Sequence, residues 1–178
     1  MQQTRCEIIL SGVGGQGLIS SGKILGEAAT RYENKFVTMT SSYGVSARGG
    51  FSRADVIIDD SFVSYFKALA PDVILVLDSK AYPEIRDKIN NNTLVIINQD
   101  EVEDFDPDLG QVFPLSLSRL AYELGSLKTL NIISLGFIAA ITDIVSRKGL
   151  TRIVKEKYPG NIKTNLRAIE KGYELKQL

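Results

Sequence analysis

Short apolar runs alternate with amphipathic segments along most of the chain. The run at 73–78 is almost entirely apolar, which is typical of a strand covered on both faces of a sheet. The apolar runs predict strands at 6–11, 36–40, 54–59, 73–78, 93–98 and 111–115. Spacings of three and four predict helices at 17–31, 83–89, 117–124, 131–146 and around 162–173. This alternation predicts an α/β fold, a three-layer Rossmann-like domain with a mostly parallel sheet.

Three segments carry a more specific expectation. Gly22 and Gly26 weaken the first helix, and they make sense if that face lies very close to other backbone. The helix at 131–146 is apolar nearly all round, so we expect it to lie in the core or in an interface. The stretch at 99–110 carries six acidic residues, which favours a solvated loop.

Length and charge narrow the class of protein. A chain of 178 residues fits a single domain, 1–178, with one adequate core. Lys plus Arg and Asp plus Glu both number 21, so no basic excess favours nucleic acid. Cys6 is the single cysteine, which excludes an intrachain disulfide. The most apolar stretch is too short to span a bilayer and the start lacks a signal peptide, so we expect a cytoplasmic protein without a membrane partner.

A glycine-rich loop lies between the first strand and the first helix. The strand–loop–helix context is the one in which such glycines can bring backbone N–H groups and a helix N-terminus to a phosphate. The candidate binding residues in it are Gly12, Gly14, Gly15, Gln16 and Gly17. A dinucleotide site would also need an acid at the end of the second strand, but residues 38–42 contain none. A phosphate-bearing ligand is therefore plausible, NAD is poorly supported, and a tight turn that binds nothing stays open.

A second candidate loop follows the second strand. In a doubly wound sheet it should lie at the same carboxyl edge as the glycine loop, where ligands collect. Arg48 offers a planar fork of donors for phosphate or carboxylate, although it could equally cap a carbonyl or pair with a carboxylate. The candidate residues here are Ser42, Tyr43, Gly44, Arg48, Gly49 and Gly50.

The chain offers no visible catalytic machinery. It has no histidine and one cysteine, so neither a set of cysteine ligands for an iron–sulfur cluster or a structural zinc nor a Ser-His-Asp or Cys-His pairing can be assembled. A Gly-Asp-Gly thiamine diphosphate signature is also absent. We therefore predict no catalytic residue and no metal site, and an accessory subunit is favoured.

Several motifs together resemble the gamma subunit of the 2-oxoacid:ferredoxin (or other acceptor) oxidoreductases. They include GVGGQG at 12–17, SSYGVSARGG at 41–50, APDV at 70–73 and LNIISLG at 130–136, and the similarity spans nearly the whole chain. The resemblance implies a complex that oxidatively decarboxylates a 2-oxoacid to an acyl-CoA and passes electrons to ferredoxin. The resemblance does not identify the oxoacid, and we take 2-oxoglutarate as the first choice, ahead of pyruvate, branched-chain oxoacids and indolepyruvate.

The resemblance also implies what this chain would contribute. Thiamine diphosphate, magnesium and iron–sulfur clusters would belong to alpha, beta and ferredoxin-like delta subunits, with no cofactor held tightly here. Coenzyme A would contact the two glycine-containing loops, with Asn131 capping its helix near the same crevice. Alone, the chain would be inactive and could form a homodimer. Two alternatives stay open: a stand-alone NAD(P)-binding oxidoreductase domain, and an interaction subunit without a ligand.

Overall fold

The computed structural model describes residues 4–43 and 50–177, and Tyr43 by its backbone alone. In this part of the chain a six-stranded sheet has the order β2-β3-β1-β4-β5-β6. Its strands are β1 Arg5–Val13, β2 Phe36–Tyr43, β3 Phe51–Asp59, β4 Val73–Val76, β5 Leu94–Asn98 and β6 Gln111–Leu115. Strand β3 is antiparallel to both its neighbours, whereas β1, β4, β5 and β6 pair in parallel. The predicted α/β fold with a mostly parallel sheet is confirmed.

Helices cover the two faces of the sheet unequally. The helices are α1 Leu18–Tyr32, α2 Tyr82–Ile85, α3 Leu117–Glu123, α4 Leu130–Thr142, α5 Arg147–Lys157 and α6 Ile162–Glu174. Helices α1, α3, α4, α5 and α6 bury the larger core against one face. The opposite face carries α2 and parts of two irregular stretches, represented by Ala68 and Val102. Three layers result, as expected, but one outer layer is mostly irregular chain.

The predicted helix at 131–146 ends four residues earlier in the structure, and a separate helix follows it. Helix α4 ends at Thr142, because Asp143 adopts a left-handed conformation with φ 52°. Helix α5 then begins after Ser146, whose Oγ accepts a hydrogen bond from Gly149 N at 3.0 Å. The sequence reading missed α5, since its buried face is short and stands among charged residues.

Helix α4 lies in the core rather than in an interface. Its residues from Ile132 to Ala140 are all buried. A Cβ on Gly172 of α6 would lie 2.3 Å from Ile133 O, so the two helices cross at backbone contact. We expected the Gly22 and Gly26 face of α1 to lie very close to other backbone, and that expectation was wrong. The nearest neighbours of these two glycines are side chains of β2 and β3.

Candidate functional site

The glycine loop turns sharply at the carboxyl edge of the sheet. Gly15 and Gly17 have φ values of 99° and 74°, a left-handed region that side chains other than glycine's rarely adopt. Gln16 N donates to Val13 O at 3.2 Å, and Gly14 N donates to Gly50 O at 3.0 Å. The second hydrogen bond joins the two candidate loops, because β1 and β2 both end at this edge with the start of β3 between them.

The Gln16 amide holds the glycine loop in shape. Its Oε1 accepts a hydrogen bond from Val13 N at 2.8 Å, and its Nε2 donates to Leu77 O at 3.4 Å. A Cβ on Gly12 would lie 2.1 Å from that Oε1. Gly12 is therefore needed to make room for the Gln16 amide, which ties the loop to the chain just after β4.

A cavity of about 640 Å³ opens on the helix side of the glycine loop. Its near wall is formed by Gly15, Gln16, Gly17 and Ser20. Its far walls come from the segments that lead into α4 and α6. The apolar side chains among them are Leu124, Leu127, Leu130, Ile132 and Tyr158, and the polar ones include Lys128, Asn131, Asn161, Thr164 and Asn165. Among the described residues that line the cavity, Lys128 carries the only charge.

Three helices begin at this cavity. The N-cap residues of α1, α4 and α6 are Gly17, Thr129 and Asn161, and all three line it. None of the three N-cap side chains accepts a hydrogen bond from the helix that it precedes, and none of the three first turns contains an acidic residue. Unsatisfied N–H groups give the starts of α1 and α6 a partial positive charge. Helix α4 instead continues a 3-10 turn, Leu127–Thr129, in which Ser126 Oγ accepts a hydrogen bond from Lys128 N at 3.3 Å. With Lys128 nearby, the cavity is electrostatically suited to an anion.

Asn131 lies beside the glycine loop, as the sequence suggested, but it does not cap its helix. A Cβ on Gly17 would lie 2.4 Å from Asn131 Nδ2, so only a hydrogen atom at Gly17 leaves space for that amide. The N-cap of α4 is Thr129, which places Asn131 inside the first turn. The capping prediction was therefore wrong, and the amide is placed between α4 and the glycine loop.

The structure divides the sequence candidates into groups. Gly15, Gln16, Gly17 and Asn131 line the cavity, while Gly12 and Gly14 belong to the same loop without lining it. Gly50 contacts the loop through Gly14, and exposed Ser42 lies at the end of edge strand β2, away from the cavity. Tyr43 pairs with Ser52 through its backbone. Gly44, Arg48 and Gly49 lie outside the described residues.

Sequence reasoning missed the far wall of the cavity. Lys128, Asn161, Thr164 and Asn165 all line it, yet each resembles an ordinary surface residue in the sequence. One signal could have indicated two of these positions. The segments before α4 and within the first turn of α6 are rich in polar residues but contain no carboxylate, which is unusual where a helix begins.

A contrasting region lies at the other end of β1. Residues 61–72, called here the 61–72 segment, form neither helix nor strand. The buried Glu7 carboxylate accepts hydrogen bonds from Leu69 N at 2.8 Å, Ala70 N at 3.1 Å and the Tyr65 hydroxyl at 2.8 Å. Asp55 accepts one from Ala68 N at 3.0 Å and pairs with Arg53. Buried carboxylates thus fix the backbone of this segment.

The 61–72 segment exposes large apolar side chains. Phe62 is 80% exposed, Phe66 60% and Leu69 72%. Phe36, on the first residue of edge strand β2, is 49% exposed and contacts the Phe62 ring edge-to-face at 6.4 Å between centroids. These four side chains are called the phenylalanine patch, and exposed groups of this kind usually mark an interface.

Two carboxylates of this region titrate in opposite directions. Burial raises the pKa of Asp72, whose Oδ2 accepts a hydrogen bond from Glu7 N at 2.8 Å. The backbone N–H of Ser61 holds the pKa of Asp59 below its usual range, and Arg5 adds to that effect. Burial also raises the pKa of the Cys6 thiol, which lies fully buried beside these acids.

Comparison with known proteins identifies the family. The family model described as pyruvate ferredoxin/flavodoxin oxidoreductase matches residues 7–175. The chain belongs to this family. The predicted family resemblance is therefore confirmed, and the family's oxidoreductase subunits include relatives with different 2-oxoacids in their names.

Two curated relatives illustrate that range. The 2-oxoglutarate synthase subunit KorC of Methanocaldococcus jannaschii is 38% identical over 96% of this chain and 94% of its own length. The pyruvate synthase subunit PorC of Methanothermobacter thermautotrophicus is 30% identical, with 94% of each chain covered.

Solved structures agree with the fold. The gamma subunit of a keto/oxoacid ferredoxin oxidoreductase from Geobacter sulfurreducens has a TM-score of 0.84 and 30% identity, covering 96% of this chain and 97% of its own. A 2-oxoglutarate:ferredoxin oxidoreductase from Magnetococcus marinus, with 2-oxoglutarate, coenzyme A and succinyl-CoA bound, has a TM-score of 0.88. It is 23% identical over 99% of this chain, which covers 32% of that longer polypeptide, so it shows the fold alone. In the part of the chain that the structure describes, no helix has the length and apolar character needed to cross a membrane.

Proposed function

We propose that this chain is the gamma subunit of a 2-oxoglutarate:ferredoxin oxidoreductase complex and that it holds coenzyme A there. The observation that carries the proposal is the cavity beside the glycine loop, where α1 and α6 begin without a capping side chain or an acidic first turn. Coenzyme A carries several phosphate charges, and such a cavity attracts them. Coenzyme A in the name of the Magnetococcus structure supports the same ligand class.

The glycine loop would provide the phosphate contacts. Gly15 and Gly17 bring backbone to the cavity surface, and the first N–H groups of α1 point along the helix axis toward the same space. The Asn131 amide, beside Gly17, would add a side-chain donor. Ser42, Tyr43, Gly44, Arg48, Gly49 and Gly50 remain proposed contacts on the neighbouring loop.

The chemistry itself would belong to partner subunits. Oxidative decarboxylation needs thiamine diphosphate with magnesium, and electron transfer to ferredoxin needs iron–sulfur clusters, which we assign to alpha, beta and delta subunits. The phenylalanine patch supports contact with such partners, or with a second copy when they are missing. We place the complex in the cytoplasm. The choice of 2-oxoglutarate over pyruvate is favoured by the higher identity of the KorC relative.

An isosteric pair at Ser20 tests the coenzyme A site. Ser20 is exposed, lines the cavity and lies in the first turn of α1. Ser20→Glu places a carboxylate where acids stabilise a helix by about 0.3–1 kcal/mol, so stability should hold or rise. The same charge should repel a phosphate ligand and weaken coenzyme A binding roughly tenfold.

Ser20→Gln is the matched control, since it adds similar volume without charge. Isothermal titration of the full chain with coenzyme A, beside a melting curve, separates the two variants. If Ser20→Glu and Ser20→Gln bind coenzyme A equally well, the charge argument for this cavity is wrong.

The oxoacid and the partners need a different measurement. We expect subunits that carry thiamine diphosphate and iron–sulfur clusters to co-purify with the natively expressed chain. The complex should reduce a viologen dye fastest with 2-oxoglutarate, and more slowly with pyruvate, branched-chain oxoacids or indolepyruvate. A faster rate with pyruvate would reassign the substrate while leaving the subunit role in place.

The stand-alone NAD(P)-binding alternative makes an opposite prediction. It requires an acid near the end of β2, but Thr40, Ser41 and Ser42 occupy that end. Tight binding of NAD or NADP by the full chain, without an effect of coenzyme A, would favour that alternative. Titration that detects neither ligand would favour an interaction subunit.

A further inference from the structure

We infer that the α6 end of the cavity is a recognition site for the 3′-phosphoadenosine part of coenzyme A, in which Asn165 binds the adenine edge and Lys128 the 3′-phosphate. This inference rests on the proposed function, because it assigns one part of the same ligand to one part of the same cavity.

Asn165 is the starting observation. It is 6% exposed, it lines the cavity, and its side-chain amide has no hydrogen-bond partner among the described residues. None of the described buried side chains has a fully enclosed polar atom without a partner. The Asn165 amide must therefore reach the open space of the cavity. A buried amide that stays unpaired is costly, so a ligand that pairs both its donor and its acceptor would be favoured.

The apolar walls of the cavity that Asn165 lines indicate what kind of group would bind. Tyr158, Leu124 and Leu127 line the cavity with apolar or aromatic surface, which suits a flat ring system. The amide of asparagine matches the donor and acceptor that adenine presents side by side. This part of the cavity therefore fits a nucleobase, which would stack between apolar walls and pair with one amide.

Lys128 supplies a positive charge in the same cavity. Its side chain is exposed, lines the cavity, and forms no ion pair with a described carboxylate. The uncapped start of α6 at Asn161 lies on the same cavity and favours negative charge as well. An adenosine that carries a phosphate on its ribose would satisfy the amide and the cation together.

A comparison of coenzyme A with dephospho-coenzyme A tests the assignment, since the two differ in the 3′-phosphate alone. Isothermal titration of the full chain should show coenzyme A binding about tenfold to a hundredfold more tightly, as expected for a charge-assisted contact. Lys128→Met should lower the affinity for coenzyme A to that for dephospho-coenzyme A and leave the latter unchanged. Adenosine 3′,5′-bisphosphate, which lacks the pantetheine arm, should compete with coenzyme A.

Two further variants complete the test. Asn165→Leu keeps roughly the size of the side chain and removes its donor and acceptor without adding charge, so it should weaken both ligands by a similar factor, roughly tenfold. Lys163→Met is the matched control, because Lys163 is exposed in the first turn of α6 without lining the cavity, and it should leave both affinities unchanged. Melting curves check that each variant is folded.

The outcomes separate this inference from the proposed function. If coenzyme A and dephospho-coenzyme A bind wild type equally well, or Lys128→Met weakens both alike, the subsite is wrong and the coenzyme A role survives. If Lys163→Met removes the preference as fully as Lys128→Met, the contact is not specific and the inference fails. If coenzyme A does not bind but adenosine 3′,5′-bisphosphate binds in a Lys128-dependent way, the subsite stands and the coenzyme A role is wrong. A chain that binds none of the three contradicts both.

Discussion

The polar groups at the two ends of β1 differ in whether the protein itself supplies their hydrogen-bond partners. At the carboxyl end, α1 and α6 begin without a capping side chain, and the Asn165 amide and the Lys128 ammonium have no partner among the described residues. At the amino end, the carboxylates of Glu7 and Asp55 are occupied by backbone and side-chain donors of their own chain. The first region keeps its polar groups available and the second uses them to hold itself together.

This difference indicates two kinds of recognition. Unpaired polar groups in a concave site favour a small polar ligand that supplies the missing partners. In a segment whose polar groups are paired internally, the groups available for binding are the exposed apolar side chains, which here form the phenylalanine patch. Such a surface favours another protein, because binding removes apolar area from water without breaking hydrogen bonds. One strand therefore connects a proposed ligand site to a proposed subunit contact.

The largest loss of stability should follow from removing the Glu7 carboxylate, which accepts hydrogen bonds from the 61–72 segment. Glu7→Ala leaves the Leu69 and Ala70 amides and the Tyr65 hydroxyl without their acceptor. Removing one member of a buried charged network costs about 3–5 kcal/mol. The free energy of unfolding from urea titration should fall by that amount. Coenzyme A affinity should change little, since the cavity is at the other end of the strand.

Glu123→Ala serves as the control for that change. Glu123 is 60% exposed on its side chain and faces Arg119 one turn earlier at 4.0 Å. Exposed pairs of this kind contribute about 0.3–0.5 kcal/mol. Equal losses in the two variants would mean that Glu7 does not hold the 61–72 segment.

A smaller loss is expected at the glycine loop. Gly12→Ala would displace the Gln16 amide and remove its hydrogen bonds to Val13 N and Leu77 O. Two such bonds correspond to about 1–3 kcal/mol of stability. Coenzyme A binding should weaken at the same time, which is the reverse of the pattern for Glu7→Ala. Thermal melting and titration measure the two effects.

Two comparisons sharpen that result. Gly160→Ala is the matched control, since a Cβ there meets no atom within 4 Å and stability should be unchanged. Gln16→Ala should cost about as much as Gly12→Ala, and the double variant should cost no more than either alone. Additive losses would show that Gly12 and Gln16 act independently.

A still smaller effect should depend on pH. Burial raises the pKa of Asp72, so the folded protein holds that proton more tightly than the unfolded chain does. Its charged form therefore costs stability above the folded pKa, and that cost disappears as pH falls below the pKa of an unfolded aspartate. Asp72→Asn should raise the melting temperature at neutral pH and converge on wild type in acid.

Asp59→Asn should show the opposite slope. The pKa of Asp59 is lowered by the Ser61 backbone N–H, so its charge stabilises the fold above the unfolded pKa and that contribution is lost as pH falls through the folded pKa. The variant should be less stable than wild type at neutral pH and should also converge in acid. Parallel profiles for the two asparagine variants would contradict these opposite shifts.

The smallest effect on the isolated subunit is expected from the phenylalanine patch. Replacing Phe62 and Phe66 by serine removes exposed rings, and stability should stay within about 0.5 kcal/mol. The change should appear in association, as less self-association on size-exclusion chromatography and less recovery of partner subunits. Tyr122→Ser, at a side chain 69% exposed outside the patch, should leave association unchanged. A patch variant that assembles like wild type would exclude these rings from the interface.

The sequence anticipated the part of the site that has a local signature. Gly15 and Gly17 could be recognised because a sharp strand-to-helix turn requires glycine at positive φ, a property of the backbone itself. Asn165 could not, because an asparagine inside a helix resembles a solvated residue until α4 packs against α6 and buries it. The sequence left two places open for the helix at 131–146, the core or an interface, for a similar reason. Helix α4 has the most apolar sequence, yet it is core, and the exposed rings belong to the 61–72 segment.

By itself, the sequence determined the apolar strands, the glycine turn and a composition with no histidine and one cysteine, because these depend on residue type and local spacing. Only the tertiary structure decided which way β3 runs, that Gly136 and Gly172 bring α4 and α6 into backbone contact, and that three helices begin at one cavity. Those features depend on contacts between residues far apart in the chain. Packing between distant segments decides which residues are buried and which partners they have, and no local sequence pattern records that packing.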